Sequence, residues 1–123
     1  KGAEMIDGRD FKPYRPTAAA PEHVSGHSAF GYAGAEAIRL ATGSDALDLT
    51  VVVQAGSFAF DDGPASDVVL SMETLSEAAR DIALSGIYGQ AHFITGDQAG
   101  RILGRAVAQK VYAHAMRYIN GTH

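Results

Sequence analysis

The chain has 123 residues, of which 46% are hydrophobic and 20% charged, the proportions of a folded globular domain rather than a disordered segment. A net charge of −4 with no basic stripe argues against a nucleic-acid binder, and no apolar run approaches the length of a membrane span. With no cysteine, neither a disulfide framework nor a thiolate metal site is possible.

One domain is expected, soluble, in a compartment left open between cytoplasm, periplasm and the cell exterior. No signal-peptide pattern is visible over Lys1 to Ala20. Residues 1–24 read as an irregular arm, with Pro13, Pro16 and Pro21 and no helical period. The spacing predicts a helix over 25–43, capped by Ser25 and stopped by Gly43, with Phe30, Ala33, Ala37, Ile38 and Ala41 on one face. Its small residues, Gly31, Ala33, Gly34, Ala35 and Ala37, allow another helix to come close.

Residues 44–70 read as a loop insertion. LTVVV, Leu49 to Val53, has strand propensity, but a strand with no partner cannot stand as a sheet. The stretch Phe58 to Asp67 reads as a solvated, lid-like loop. A second helix is predicted over 71–91, capped by Ser71, with Leu75, Ala78, Ala79, Ile82, Ala83 and Ile87 as its apolar repeat. Gly86 and Gly89 weaken its last turns by about 1 kcal/mol each relative to alanine. A third helix is predicted over 97–120, capped by Asp97, with Ile102, Leu103, Ala106, Val107, Val111, Ala115 and Tyr118 as its stripe. His114, far down that helix, reads as a surface or seam residue. The fold class is all-α, an incomplete helical bundle.

The segment Pro21 to Phe30, PEHVSGHSAF, puts a hydroxyl, a bare backbone N–H and an imidazole at Ser25, Gly26 and His27, where a helix begins. A helix start offers unpaired N–H donors and the positive end of the macrodipole, which suits a tetrahedral anion. Ser25 either binds such an anion or simply caps the helix. A second imidazole, His92, lies near the start of the last predicted helix, within HFITGDQAG, and the two rings can converge on one anion.

Read together, these segments resemble the superfamily that unites vanadium-dependent haloperoxidases with type 2 phosphatidic acid phosphatases and bacterial acid phosphatases. VSGHS, Val24 to Ser28, is similar to the family's central Pro-Ser-Gly-His motif with Val24 in place of proline, and KPYRPTAAAPEHVSGHS resembles the lead-in of bacterial haloperoxidase-like members. Ser85, His92, Gly100 and Gly104 fit the spacing of the family's last motif.

The resemblance implies that Ser25 and the Gly26 amide bind equatorial oxygens of vanadate or phosphate, and that His27 is the acid/base. His92 would bind vanadium in a haloperoxidase, or attack phosphorus and form a phosphohistidine in a phosphatase. His23 would lie beside the anion or face solvent, and Asp97 would orient His92 or cap its helix. Phe58 and Phe60 would wall the pocket.

Two departures concern positive charge. The family's arginine after the last-motif serine is Gly86 here, and its first motif, a lysine followed by Arg-Pro, is not found, since Gly8 stands where a lysine would precede Arg15-Pro16. We therefore expect a C-terminal piece of a larger protein or a protomer completed by association, as a homo-oligomer or by a missing N-terminal segment. The expected function is vanadate-dependent haloperoxidase chemistry on peroxide and halide, to which His23, Glu22 and the HFxxxDxAG run point. The alternatives are a phosphatase acting on a phosphate ester and a catalytically degenerate phosphate-binding or oligomerising module.

Overall fold

The computed structural model describes residues 5–17, 19–59 and 61–122. Its elements are α1 (Gly26–Thr42), β1 (Ala46–Val53), β2 (Val68–Thr74), α2 (Leu75–Tyr88) and α3 (Ile94–Ile119). The three helices form the all-α bundle expected from the sequence, and α1 packs against both α3 and α2. The described part of the arm is irregular and lies across the end of α2, where the Tyr14 N–H donates to Gln90 Oε1 at 2.9 Å and the Arg15 N–H to the Gly89 carbonyl at 3.1 Å.

α1 begins and ends as its local chemistry dictates. Ser25 is extended and its Oγ accepts the Ser28 N–H, while Gly43 adopts the left-handed conformation at φ 71° and donates its N–H to the Arg39 carbonyl. α2 begins later than expected. Thr74, not Ser71, is its cap, because Glu77 three residues on completes a reciprocal capping box with it. α3 begins earlier than expected, with Phe93 at the cap position and Asp97 already inside the helix.

Residues 44–70 are not a loop throughout. LTVVV finds its partner in VVLSM: β1 and β2 pair antiparallel with Val51 opposite Leu70 and Val52 opposite Val69, leaving only the connection between them irregular. Ser71, the expected helix cap, is a ladder residue opposite Thr50. Phe60 lies outside the described residues.

The faces used for packing also differ from the aliphatic stripes. α3 buries Gly96, Asp97, Gly100, Gly104 and Ala108, whereas Ile102 is 72% and Val111 62% exposed. A Cβ at Gly100 would lie 2.6 Å from the Ser25 carbonyl oxygen, and one at Gly104 would run into the Ala29 carbonyl. Two backbones that approach this closely cannot accommodate side chains between them, so the large aliphatic residues of α3 turn outward. On α1 the buried residues are Ser28, Tyr32 and Glu36, and Phe30 is 83% exposed. On α2 the expected repeat is partly used, with Leu75, Ala79 and Ala83 buried, and Tyr32, Ala79 and Ala83 make the small apolar core.

Polar groups complete the α1–α3 seam. Asp97 is 2% exposed and accepts from the Ser28 hydroxyl at 2.6 Å and from Arg101 at 3.0 and 2.7 Å, while Arg101 also donates to the Tyr32 hydroxyl. Farther along, Glu36 accepts from Arg39 and from Gln109. The Arg39 bond, then the Gln109 bond, lower the Glu36 pKa from 4.5 to about 2.

Two predictions follow from this packing. Gly104→Ala should destabilise the fold by about 1–3 kcal/mol through overpacking, whereas Gly34→Ala, with open space around its Cβ position, should be neutral or stabilising by up to about 1 kcal/mol; equal denaturation midpoints for the two variants would refute the close crossing. The contribution of ionised Glu36 is complete above its unfolded pKa near 4.5 and is lost as pH falls toward about 2. Glu36→Gln should therefore be less stable than the parent at neutral pH, with the gap closing over that acidic range in thermal melts.

Candidate active site

The crossing of α1 and α3 sets the start of one helix beside the start of the other. The Ser25 N–H donates to the Gly96 carbonyl at 3.0 Å, fixing the last residue before α1 onto the first turn of α3. His27 and His92 meet there, with ring centroids 5.7 Å apart and planes inclined at 64°. The Gly26 and His27 N–H groups, in the first turn of α1, have no hydrogen-bond partner among the described residues. An open depression of about 550 Å³ adjoins them, lined by Gly26, His27, Phe30, Gly31 and Ile82.

His92 is held by a tight reversal after α2. The Ala91 and His92 N–H groups both donate to the Gly86 carbonyl, at 2.9 and 3.2 Å. A Cβ on Gly86 would sit 3.1 Å from His92 Cδ2 and 4.0 Å from His27 Cβ. Glycine at this position thus leaves the His92 ring its room, and a side chain there would require the ring to give by a few tenths of an ångström.

Ser25 lies in the site's foundation rather than on its surface, at 0% exposure. Its Oγ accepts the Ser28 N–H and lies 3.0 Å from the Ser28 hydroxyl, which in turn reaches Asp97 Oδ1 at 2.6 Å. Ser25 caps α1 from within the seam.

Asp97 neither orients His92 through a hydrogen bond nor caps α3. Its carboxylate ties α3 to Ser28 of α1 and to Arg101, and reaches His92 only through the electrostatic field. Burial pushes the Asp97 pKa up, but the Arg101 and Ser28 hydrogen bonds, together with nearby charge, hold the carboxyl below its ordinary value. Ser85 is exposed and donates to the Ile82 carbonyl at 2.6 Å within its own helix, apart from the histidine pair. His23 is exposed and makes no hydrogen bond among the described residues. Phe58 lines a different depression, of about 640 Å³, with Tyr14, Arg15, Leu70, Ser85, Tyr88 and Gly89.

The carboxylate beside His92 belongs to Glu22. Its Oε1 accepts the Phe93 N–H at 2.9 Å and lies 3.6 Å from His92 Nδ1. A Cβ on Gly96 would overlap that carboxylate, so the bare backbone of α3 forms its seat. Sequence alone marks Glu22 only as the acid after Pro21, since the residues it meets lie far along the chain. Arg101 also escaped the sequence reading, although its position four residues after Asp97 was the available signal.

Residues 1–121 match the family model of the VCPO second helical-bundle domain, VCPO standing for vanadium-dependent chloroperoxidase. A crystal structure of a holo-type bacterial vanadium-dependent chloroperoxidase superposes with a TM-score of 0.83 at 26% identity, over 90% of this chain and 24% of that one. The apo-type structure gives a TM-score of 0.85 at 26% identity, over 94% of this chain and 25% of that one. The chain thus spans about a quarter of the length of these chloroperoxidase chains. No curated protein matches it. The chain belongs to the vanadium-dependent chloroperoxidase family and corresponds to its second helical-bundle domain.

Proposed function

We propose that this chain supplies the histidine half of a vanadate-dependent haloperoxidase site. The observation that carries the reading is the 5.7 Å approach of His27 and His92 at the start of α1. Unpaired amides, an imidazole able to ligate through a ring nitrogen and a second imidazole able to carry a proton together fit a tetrahedral oxyanion such as vanadate. His92 would hold the anion, and the Gly26 and His27 amides would donate to its oxygens. The exposed His27 ring would pass a proton to or from the outward oxygen. Bound vanadate would supply the Lewis acidity that activates hydrogen peroxide for attack by halide.

Charge balance requires more than these groups. A multiply charged oxyanion needs cationic partners, and position 86 provides space instead of a guanidinium. We assign the missing lysine and arginine to protein outside this chain, either the remainder of a polypeptide as long as its relatives or a second copy. The outward aliphatic side chains of α3, Ile102 and Val111 among them, offer that protein an apolar face.

The same oxyanion geometry also serves phosphate-ester hydrolysis through a phosphohistidine, and two assays separate the readings. In the complete protein, bromination of a phenol dye should require both vanadate and peroxide. It should be abolished by His92→Ala and fall about 10²–10⁴-fold in His27→Ala. Hydrolysis of a nitrophenyl phosphate without bromination would favour the phosphatase, silence in both assays would favour a binding module, and full bromination by His92→Ala would remove that residue from the site. Gly86→Ala, by displacing the His92 ring, should weaken vanadate binding about tenfold, measured by titration; unchanged affinity would show that His92 does not need that space.

A further inference from the structure

We propose that Glu22 is a positioning residue that sets the tautomer of His92, keeping the proton on Nδ1 and leaving Nε2 as the ring nitrogen free to bind an oxyanion. The inference rests on the reading of His92 as the anion-binding imidazole, and it names the group that prepares that ring.

Three observations carry it. His92 Nδ1 is a buried side-chain nitrogen with no hydrogen-bond partner among the described residues. The Glu22 carboxylate is the acid beside it, with Oε1 3.6 Å away, just beyond hydrogen-bond length. Glu22 is itself anchored, because Oε1 accepts the Phe93 N–H and the absent Cβ of Gly96 leaves the carboxylate its seat, where a methyl would come within 2.8 Å of Oε2. The opposite edge of the ring, at Cδ2 beside Nε2, lies against Gly86 on the side of His27.

A neutral imidazole has one N–H and one lone pair, and its environment decides which nitrogen holds which. A proton on Nε2 would turn the Nδ1 lone pair toward a carboxylate and bury it without a donor, which is unfavourable on both counts. A proton on Nδ1 is drawn to Glu22 and makes Nε2 the available ligand atom. Carboxylates that accept from the far nitrogen of a ligating histidine orient and strengthen it in this way. Asp97, the acid that the sequence offered for this task, is committed to Ser28 and Arg101.

The test is nitrogen-15 NMR of the imidazoles in the complete protein at alkaline pH, without vanadate. His92 should show a protonated Nδ1 and an unprotonated Nε2. Glu22→Ala should shift the population toward the Nε2–H form, whereas Glu22→Gln, whose side-chain carbonyl still accepts, should keep the parent pattern. A wild-type ring protonated mainly on Nε2, or an unchanged pattern in a folded Glu22→Ala, would overturn the proposal; the wild-type spectrum decides even if the alanine variant fails to fold. Vanadate titration followed by vanadium NMR separates the two readings. Glu22→Ala should weaken binding about 10–100-fold and Glu22→Gln much less. A wild-type protein with the expected tautomer but no vanadate binding would sink the haloperoxidase reading and leave the role of Glu22 standing.

Discussion

The close crossing of α1 and α3 is the constraint on which the rest of the structure depends. Gly100 and Gly104 bring the α3 backbone against the carbonyls of Ser25 and Ala29, closer than any side chain would permit. Contacts this short leave almost no freedom in how the two helices sit, and the Ser25–Ser28–Asp97–Arg101 hydrogen-bond chain closes the same seam with buried polar groups that are all satisfied. One geometric consequence is chemical. The first turns of both helices lie side by side, and the residues that lead into them, Glu22 through His27 and His92, are gathered at one end of the bundle.

This arrangement divides the motif residues into two layers. Ser25, Ser28 and Asp97 form a buried foundation whose protons and charges are used internally. Gly26, His27 and His92 stand above it with amides and imidazoles not consumed by the fold. The division matters because a group already engaged in a buried hydrogen bond would lose that bond in order to greet a ligand. Gly86 and Gly96 serve the upper layer through the space they leave, one for the His92 ring and the other for the Glu22 carboxylate.

Much of this was legible in the sequence where the chemistry is local. The Ser25 cap, the Gly43 stop and the three-helix order follow from rules spanning a few residues, and the two histidine motifs announced the family before any geometry was available. The hairpin was not legible, because the partner of LTVVV lies beyond a long acidic and Gly-Pro stretch and pairing is a property of two segments. The packing face of α3 was misread for a physical reason: periodicity follows large aliphatics, whereas this seam is built from glycines, so its strongest hydrophobic stripe points outward. Glu22 was visible as an acid but not as a neighbour of His92, since the contact joins positions that only the helix crossing brings together.

The central claim is that His27 and His92 face one oxyanion, and the most direct measurement is a vanadate titration of the complete protein with both imidazoles followed by NMR. The account predicts that the signals of the two rings move together along a single binding curve, with one stoichiometric anion per site. Movement of only one ring, or two curves with separate affinities, would contradict it.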